Sequence, residues 1–290
     1  MPLTQRFNRL KLIQKLDPTQ DYEQIYHFLT GYEFSWDINK ALELALMKTF
    51  CVPSISKILD KTGEFHHHGQ KRYDDTALIV SRMVKYGYLL GEGKAALQRM
   101  NQIHQHFLIK NEDYLYVLSG FIYEPIRWIE RFGWRPLCET EKLAMYYFWC
   151  AVGQEMGIKD IPENYALFEQ YNQSYEQQYF RYCAANARVG ESTVQIFLHW
   201  FPAVFRPALR PLIYAMFDES MLEAFGLPSL PAYQRSIVTN TLKWRGYLLR
   251  YFPPRQRPDF YLDRQHLSYP GGHTLKDVGP LAMLEELNRE

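Results

Sequence analysis

Cysteine is scarce in this 290-residue chain, and the four that occur, Cys51, Cys138, Cys150 and Cys183, lie far apart with no CxxC pair. That argues against a zinc ribbon or a dithiol redox motif, and it leaves reduced, mostly buried thiols of an intracellular protein as the simplest account. An excess of either charge is also missing. The 33 Lys and Arg nearly balance the 32 Asp and Glu, so there is no nucleic-acid footprint. No apolar run is long enough to span a bilayer. STVQIFLHWFPAVF (Ser192 to Phe205) is uncharged with His199 neutral, but it is short and Pro202 interrupts it, so a core helix is expected there. Because Arg206 and Arg210 follow at once, the second reading is a peripheral membrane contact that admits a greasy substrate. The N-terminal MPLTQRFNRLKLIQKLD has bases but no apolar core of signal-peptide length. Neither secretion nor a preceding membrane anchor is therefore expected, and the chain reads as cytoplasmic or membrane-associated. Linkers rich in Ser and Gly, low-complexity segments and internal repeats are absent as well. A single all-α domain over residues 1–290 is expected, with a core at about 37–252 and a C-terminal strap at 253–290 rich in Pro, Gly, Arg and Tyr.

What the chain does have is aromatic residues, at 16%, spread through many segments as suits a large apolar interior or pocket. It also has one stretch, Arg72 to Phe107, with polar residues on faces that should be dry. The spacing predicts two helices joined by a break at Gly91-Glu92-Gly93. Arg72 and Thr76 stand one turn apart and head a stripe continued by Val80, Met83 and Gly87. In the second helix Leu97, Met100, His104 and Phe107 recur at steps of three and four, whereas Arg99, Gln102 and His106 fall on the polar side. The ordinary reading of a lone histidine on such a stripe is a hydrogen-bonded core residue. The ordinary reading of the first helix is a local network, with Arg72 paired to Asp75 and Thr76 bonded back to a carbonyl. The functional reading is a neutral imidazole offered to a haem iron or other transition metal, with a cation near the cofactor's acid groups.

The remaining helices are expected at 19–31 and 37–50, with Thr19 and Asp37 as caps, then at Asn111–Phe132, kinked at Pro125, where Glu124 could bond a freed backbone group. Another runs from Cys138 to Gly157, with Glu139 and Glu141 in its first turn. Phe168, Tyr171, Tyr175, Tyr179 and Tyr182 predict one helix with an aromatic face, and a last helix is expected at 232–251. The run His66-His67-His68 beside Glu64 reads as a loop near the mouth of the pocket, because consecutive residues do not converge on one metal. Glu64 to His67 alone has Glu-x-x-His spacing, too little for a di-iron bundle.

Several linked motifs occur in order: the residues from Val52 to Phe65, KRYDDTALIV (Lys71 to Val80), ALQRMNQIH (Ala96 to His104), NEDYLYVLSGFIYEPIRWIERFGWRPL (Asn111 to Leu137), the acidic helix start at Glu139 and Glu141, and YPGGHTLKDVGP (Tyr269 to Pro280). Together they cover most of the chain, which resembles the catalytic domain shared by MpaB-type oxygenases and rubber oxygenases. The resemblance implies a globin-like helical fold holding haem b. Carried over by position, His104 matches the axial iron ligand, and Arg72 and Thr76 match the Arg and Thr beside it. Two positions depart from the rubber-oxygenase pattern. Asp75 stands where those enzymes can carry a Lys that caps the iron, and Glu64, the nearest upstream carboxylate, is too close to Arg72 in sequence to match their catalytic Glu. The distal base is therefore unassigned.

The function implied by the resemblance is cleavage by dioxygen of a carbon-carbon double bond in a hydrophobic, isoprenoid substrate. His104 would hold iron, Arg72 would neutralise a propionate, and Thr76 would donate a hydrogen bond to a propionate or to the oxygen substrate. One alternative keeps the haem but acts as a monooxygenase or peroxygenase, since one scaffold hosts several chemistries. A second is a non-catalytic carrier of a hydrophobic ligand.

Overall fold

The structure, a computed structural model, describes residues 3–289. Among them there is no strand, but fifteen α-helices, one π-helical turn, five 3-10 turns and one isolated bridge between His266 and Tyr269. The all-α expectation therefore holds.

After α1 (Asn8–Ile13), α2 (Tyr22–Phe28) runs into a π-helical turn, Leu29–Glu33, closed by Phe34 N–H donating to the Leu29 carbonyl at 2.8 Å. The helix expected at 19–31 is thus shorter, and Thr19 bonds Asp17 rather than capping it. In α3 (Ser35–Thr49), Asp37 lies inside the first turn, not at the cap. It accepts from Trp128 Nε1 at 3.1 Å and from Arg245 at 2.8 Å, a tertiary role that helix-start statistics do not anticipate. Pro53 opens α4 (Pro53–Thr62), and Gly63, with φ +70°, ends it. That left-handed residue turns the chain into a single helical turn, α5 (Glu64–His67), where a loop was expected.

Next come α6 (Gly69–Tyr86) and α7 (Gly91–Gln105), packed against each other. Their break lies at Gly87–Leu90, four residues before the expected place, and Gly91-Glu92-Gly93 forms the first turn of α7. The reason is a close backbone approach: Gly87 takes φ +78°, and a Cβ on Gly93 would collide with the Gly87 carbonyl. Arg99, expected on the wet side of α7, is buried because the chain's C-terminal end covers it and Leu287 O accepts its Nη1 at 2.7 Å.

The long α8 (Asn111–Phe132) has 14 of its 22 residues buried and is the helix on which α3, α9, α10 and α14 pack. Glu124, just before Pro125, serves no freed backbone group: it pairs with Lys48 of α3 at 2.9 Å and with Arg127 at 2.7 Å, and Lys48 also reaches Glu176 at 3.1 Å. The start of α9 (Glu139–Glu155) is fixed by Glu141, which accepts from Cys138 N–H at 2.8 Å and takes the fork of Arg135 at 2.6 and 2.7 Å. α10 (Tyr165–Tyr179) is capped by Asn164 and buries Phe168 and Tyr175, but Tyr182 lies beyond it and is exposed.

α11 (Ala184–His199) ends before Pro202, so Ser192 to Phe205 is not one core helix. Phe201, Val204 and Phe205 stand in solvent ahead of α12 (Arg206–Tyr214). α13 (Glu219–Phe225), α14 (Ala232–Leu249) and α15 (Leu284–Leu287) complete the helices.

The strap is less extended than expected, since it carries 3-10 turns at Tyr261–Asp263, Leu275–Asp277 and Leu281–Met283. It is bound to α6 by the neighbouring acids of the YDD motif. Asp74 accepts from Tyr261 Oη at 2.8 Å and Ser268 N–H at 3.1 Å, while Asp75 accepts from Lys71 at 2.7 Å, Gly279 N–H at 3.1 Å and the Tyr269 hydroxyl.

Candidate active site

The two stripes read from the sequence face one another across an internal cavity of about 320 Å³. From α6 it is lined by Arg72, Thr76, Val80 and Met83, from α7 by Met100 and His104, and by Phe107 just beyond α7. α3, α4, α8 and the strap close it with a mainly aliphatic and aromatic wall, the composition of a small-molecule site with few polar groups.

His104 sits in the last turn of α7, edge-on to the Tyr114 ring with centroids 5.6 Å apart. Burial and, secondarily, the positive charge of Arg72 push its pKa down to about 4, so the imidazole is neutral at neutral pH. Its Nδ1 is buried without a hydrogen-bond partner, so the ordinary core-histidine reading, which requires one, does not describe it.

Arg72 is equally deep, and its desolvation lowers its pKa against the opposing charges of Asp75 and Glu64. Among the described residues it has no carboxylate within ion-pair distance, because Asp75 is engaged by Lys71 and the strap instead. The expected Arg72–Asp75 pair is therefore not formed. Arg72 Nη1 donates to the Thr76 hydroxyl, which in turn donates to the Arg72 carbonyl at 3.1 Å, and the guanidinium lies 5.6 Å from the centre of the Phe65 ring. A buried cation with only a hydroxyl and a π-face for company is prepared for an anionic group.

Glu64 also lines the cavity, in keeping with the expectation that its segment lies near the mouth of the pocket. The left-handed Gly63 makes it reachable by redirecting the chain between α4 and α5. His66, next in line, faces outward, with Nδ1 2.8 Å from Ser192 Oγ and Nε2 3.0 Å from Asp60. The rings of His66, His67 and His68 fan out at 6.4 and 6.5 Å spacings. Among the described residues no three His, Cys, Asp or Glu side chains are placed to share a metal, so the donor set offered here is one imidazole.

Residues 41–249, spanning α3 to α14 and including Arg72, Thr76 and His104, match the family described as ER-bound oxygenase mpaB/B'/Rubber oxygenase, catalytic domain. The chain belongs to this family. Similar proteins include the ER-bound oxygenase mpaB of Penicillium roqueforti (strain FM164), 29% identical over 248 residues that make up 76% of this chain and 83% of that protein. The ER-bound oxygenase mpaB' of Penicillium brevicompactum is 27% identical over 242 residues, 77% of this chain and 57% of that one. Membership of an oxygenase family makes an oxidoreductase acting on a small molecule with dioxygen the coarse functional assignment. No helix among the described residues is long and apolar enough to cross a membrane.

Proposed function

We propose that this oxygenase binds haem b through His104 and uses dioxygen to cleave a carbon-carbon double bond of a hydrophobic, isoprenoid substrate. One observation carries the reading: a neutral imidazole with no hydrogen-bond partner at Nδ1 and a buried guanidinium with no carboxylate partner face the same apolar cavity. Neutral imidazole is the form that ligates iron, and an uncompensated guanidinium suits a propionate, so both donor sets fit the cofactor. When bound, the haem would supply oxygen activation, chemistry that no side chain here offers.

The remaining work falls to the chain. His104 would hold the iron and Arg72 would balance an acid group of the cofactor, while Thr76 holds Arg72 in place because its own proton is given to the Arg72 carbonyl. To donate elsewhere, Thr76 must first release that carbonyl. The aliphatic and aromatic wall admits an alkene and excludes water. Purified protein supplied with haem is expected to show a Soret band that His104→Ala abolishes or displaces, and an unchanged spectrum removes His104 as the ligand. With a prenylated test substrate and labelled dioxygen, two labelled carbonyl fragments are the expected products. A single hydroxylated product would instead make the reaction a monooxygenation.

A further inference from the structure

We infer that the face built by α12 and α14 docks on an anionic lipid surface. α14 is 18 residues long, yet Gly246 is its sole buried residue. At that point the helix backbone lies against the end of α8, where a Cβ would collide with the Phe132 carbonyl. The helix is thereby held close to the body by its smallest residue while its large side chains point out. Tyr233, Ile237, Trp244, Tyr247 and Leu248, with Tyr251 and Phe252 just beyond, are each more than half exposed. α12 packs beside α14, and the segment leading into it adds Val204 at 78% and Phe205 at 57% exposure. Scattered exposed apolar residues need no explanation, but a contiguous aromatic and aliphatic face is unusual on a molecule surrounded by water alone.

The charges identify the occupant. From Ser192 to Phe217 and again from Gly226 to Pro258 there is no Asp or Glu, while eight Arg and Lys occur, from Arg206 to Arg257. Of these, Arg210, Arg235, Arg245 and Arg255 are tied to acids elsewhere on the molecule. Lys243, Arg250 and Arg257 have no carboxylate partner among the described residues. Lys243 and Arg250 flank a surface groove of about 610 Å³ together with Tyr247 and Trp134. A second copy meeting this face around a twofold axis would bring like charges together. Exposed Trp and Tyr beside unpaired Arg and Lys instead match the boundary between headgroups and acyl chains, where rings enter and cations stay with phosphates. The acid-free segment ends at Pro258, and the next two residues, Asp259 and Phe260, line the internal cavity. The docked face therefore continues directly into the cavity wall.

The test is co-flotation of the full chain with vesicles of phosphatidylcholine alone and of phosphatidylcholine with phosphatidylserine. The chain is expected to float with the anionic vesicles. Lys243→Glu with Arg250→Glu and Arg257→Glu should weaken this by roughly two orders of magnitude, at the usual contribution of a base near such a surface. Trp244→Ser with Phe252→Ser should also weaken it, while leaving the circular dichroism spectrum and melting temperature unchanged because both side chains are exposed. No flotation with anionic vesicles, or equal flotation of both variants and the parent, overturns the proposal. So does a dimer in sedimentation that Trp244→Ser dissolves, or binding to a DNA oligonucleotide that the charge variant loses and the Trp244 variant keeps.

Discussion

At residue scale, the cavity's two polar anchors are each held at an energetic cost, and that cost is measurable without any cofactor. Arg72 is a desolvated cation lacking an ion partner. Arg72→Met keeps the volume and removes the charge, so the cofactor-free protein should be more stable by about 1–2 kcal/mol, as when other poorly compensated buried charges are replaced. This corresponds to a rise in Tm of roughly 2–6 °C for a chain of this size. A lower Tm would mean that the bond to Thr76 and the Phe65 contact outweigh the burial. His104 has its folded pKa lowered to about 4, below the ordinary 6.5. The unfolded chain therefore takes up a proton first as pH falls, and stability is lost between about pH 6.5 and 4 with no contribution above that window. Between pH 7 and pH 5 the loss attributable to this ring is up to about 2 kcal/mol. Urea denaturation at both pH values should show His104→Phe losing less than the parent, and equal losses would place the ring in water. Both anchors were legible in the sequence because 3.6-residue periodicity reports which way a side chain points. What that side chain meets there is not encoded in periodicity. The failure of Asp75 to pair with Arg72 depended on Lys71, Tyr269 and Gly279, two of them about two hundred residues away.

At the scale of elements, the cavity exists because α6 and α7 meet closely at one end. The contact is backbone on backbone at Gly87 and Gly93, which explains why the glycines of α7 do not form the break they suggested. Gly91 and Gly93 look alike in the sequence but carry different constraints. Gly91 has φ +56° and open space around it, so Gly91→Ala should cost about 1 kcal/mol from the left-handed backbone alone. Gly93 has an ordinary φ but no room, and Gly93→Ala must part the two helices. Its cost should exceed that of Gly91→Ala by several-fold, at about 3 kcal/mol or more, the range of overpacked or strained sites. Thermal melts of the two variants decide the ranking, and a milder Gly93→Ala would show the α6–α7 junction to be compliant. Sequence reading placed α8 within its observed limits because its apolar periodicity is long and uninterrupted. It missed the ends of α2, α6 and α11, where a π-helical turn, a left-handed glycine and Pro202 end helices for reasons set by neighbours as much as by the local chain.

For the whole molecule, the decisive feature is that the C-terminal strap is part of the cavity wall. Phe260, Tyr261, Gly279 and Pro280 line the cavity, and Phe260 seats on Gly31, where a Cβ would come within 2.6 Å of its ring. The strap was legible only as a Pro- and Gly-rich tail, since its hold on the body depends on non-local bonds to two neighbouring acids of α6, one of which the local spacing pairs with Arg72 instead. Those acids, Asp74 and Asp75, are 1% and 4% exposed. Asp75 receives Lys71, the Tyr269 hydroxyl and Gly279 N–H, so Asp75→Ala removes three bonds and leaves Lys71 facing two strap carbonyls without its counter-charge. The loss should be about 3 kcal/mol, the scale for charge-assisted bonds broken at a buried carboxylate. Because the lost bonds join the strap to α6 and none of them involves α8, that loss should appear as local opening before global unfolding. Asp75→Ala is therefore expected to speed amide exchange and proteolytic nicking across residues 261–283 while exchange in α8 stays near that of the parent. On the proposed haem-binding reading, the same variant loaded with haem should release it faster than the parent, because opening the strap lets water into the cavity even though Asp75 touches neither His104 nor Arg72. Uniformly faster exchange through α8 and strap alike would instead mean that Asp75 supports the body as a whole rather than the wall that closes it.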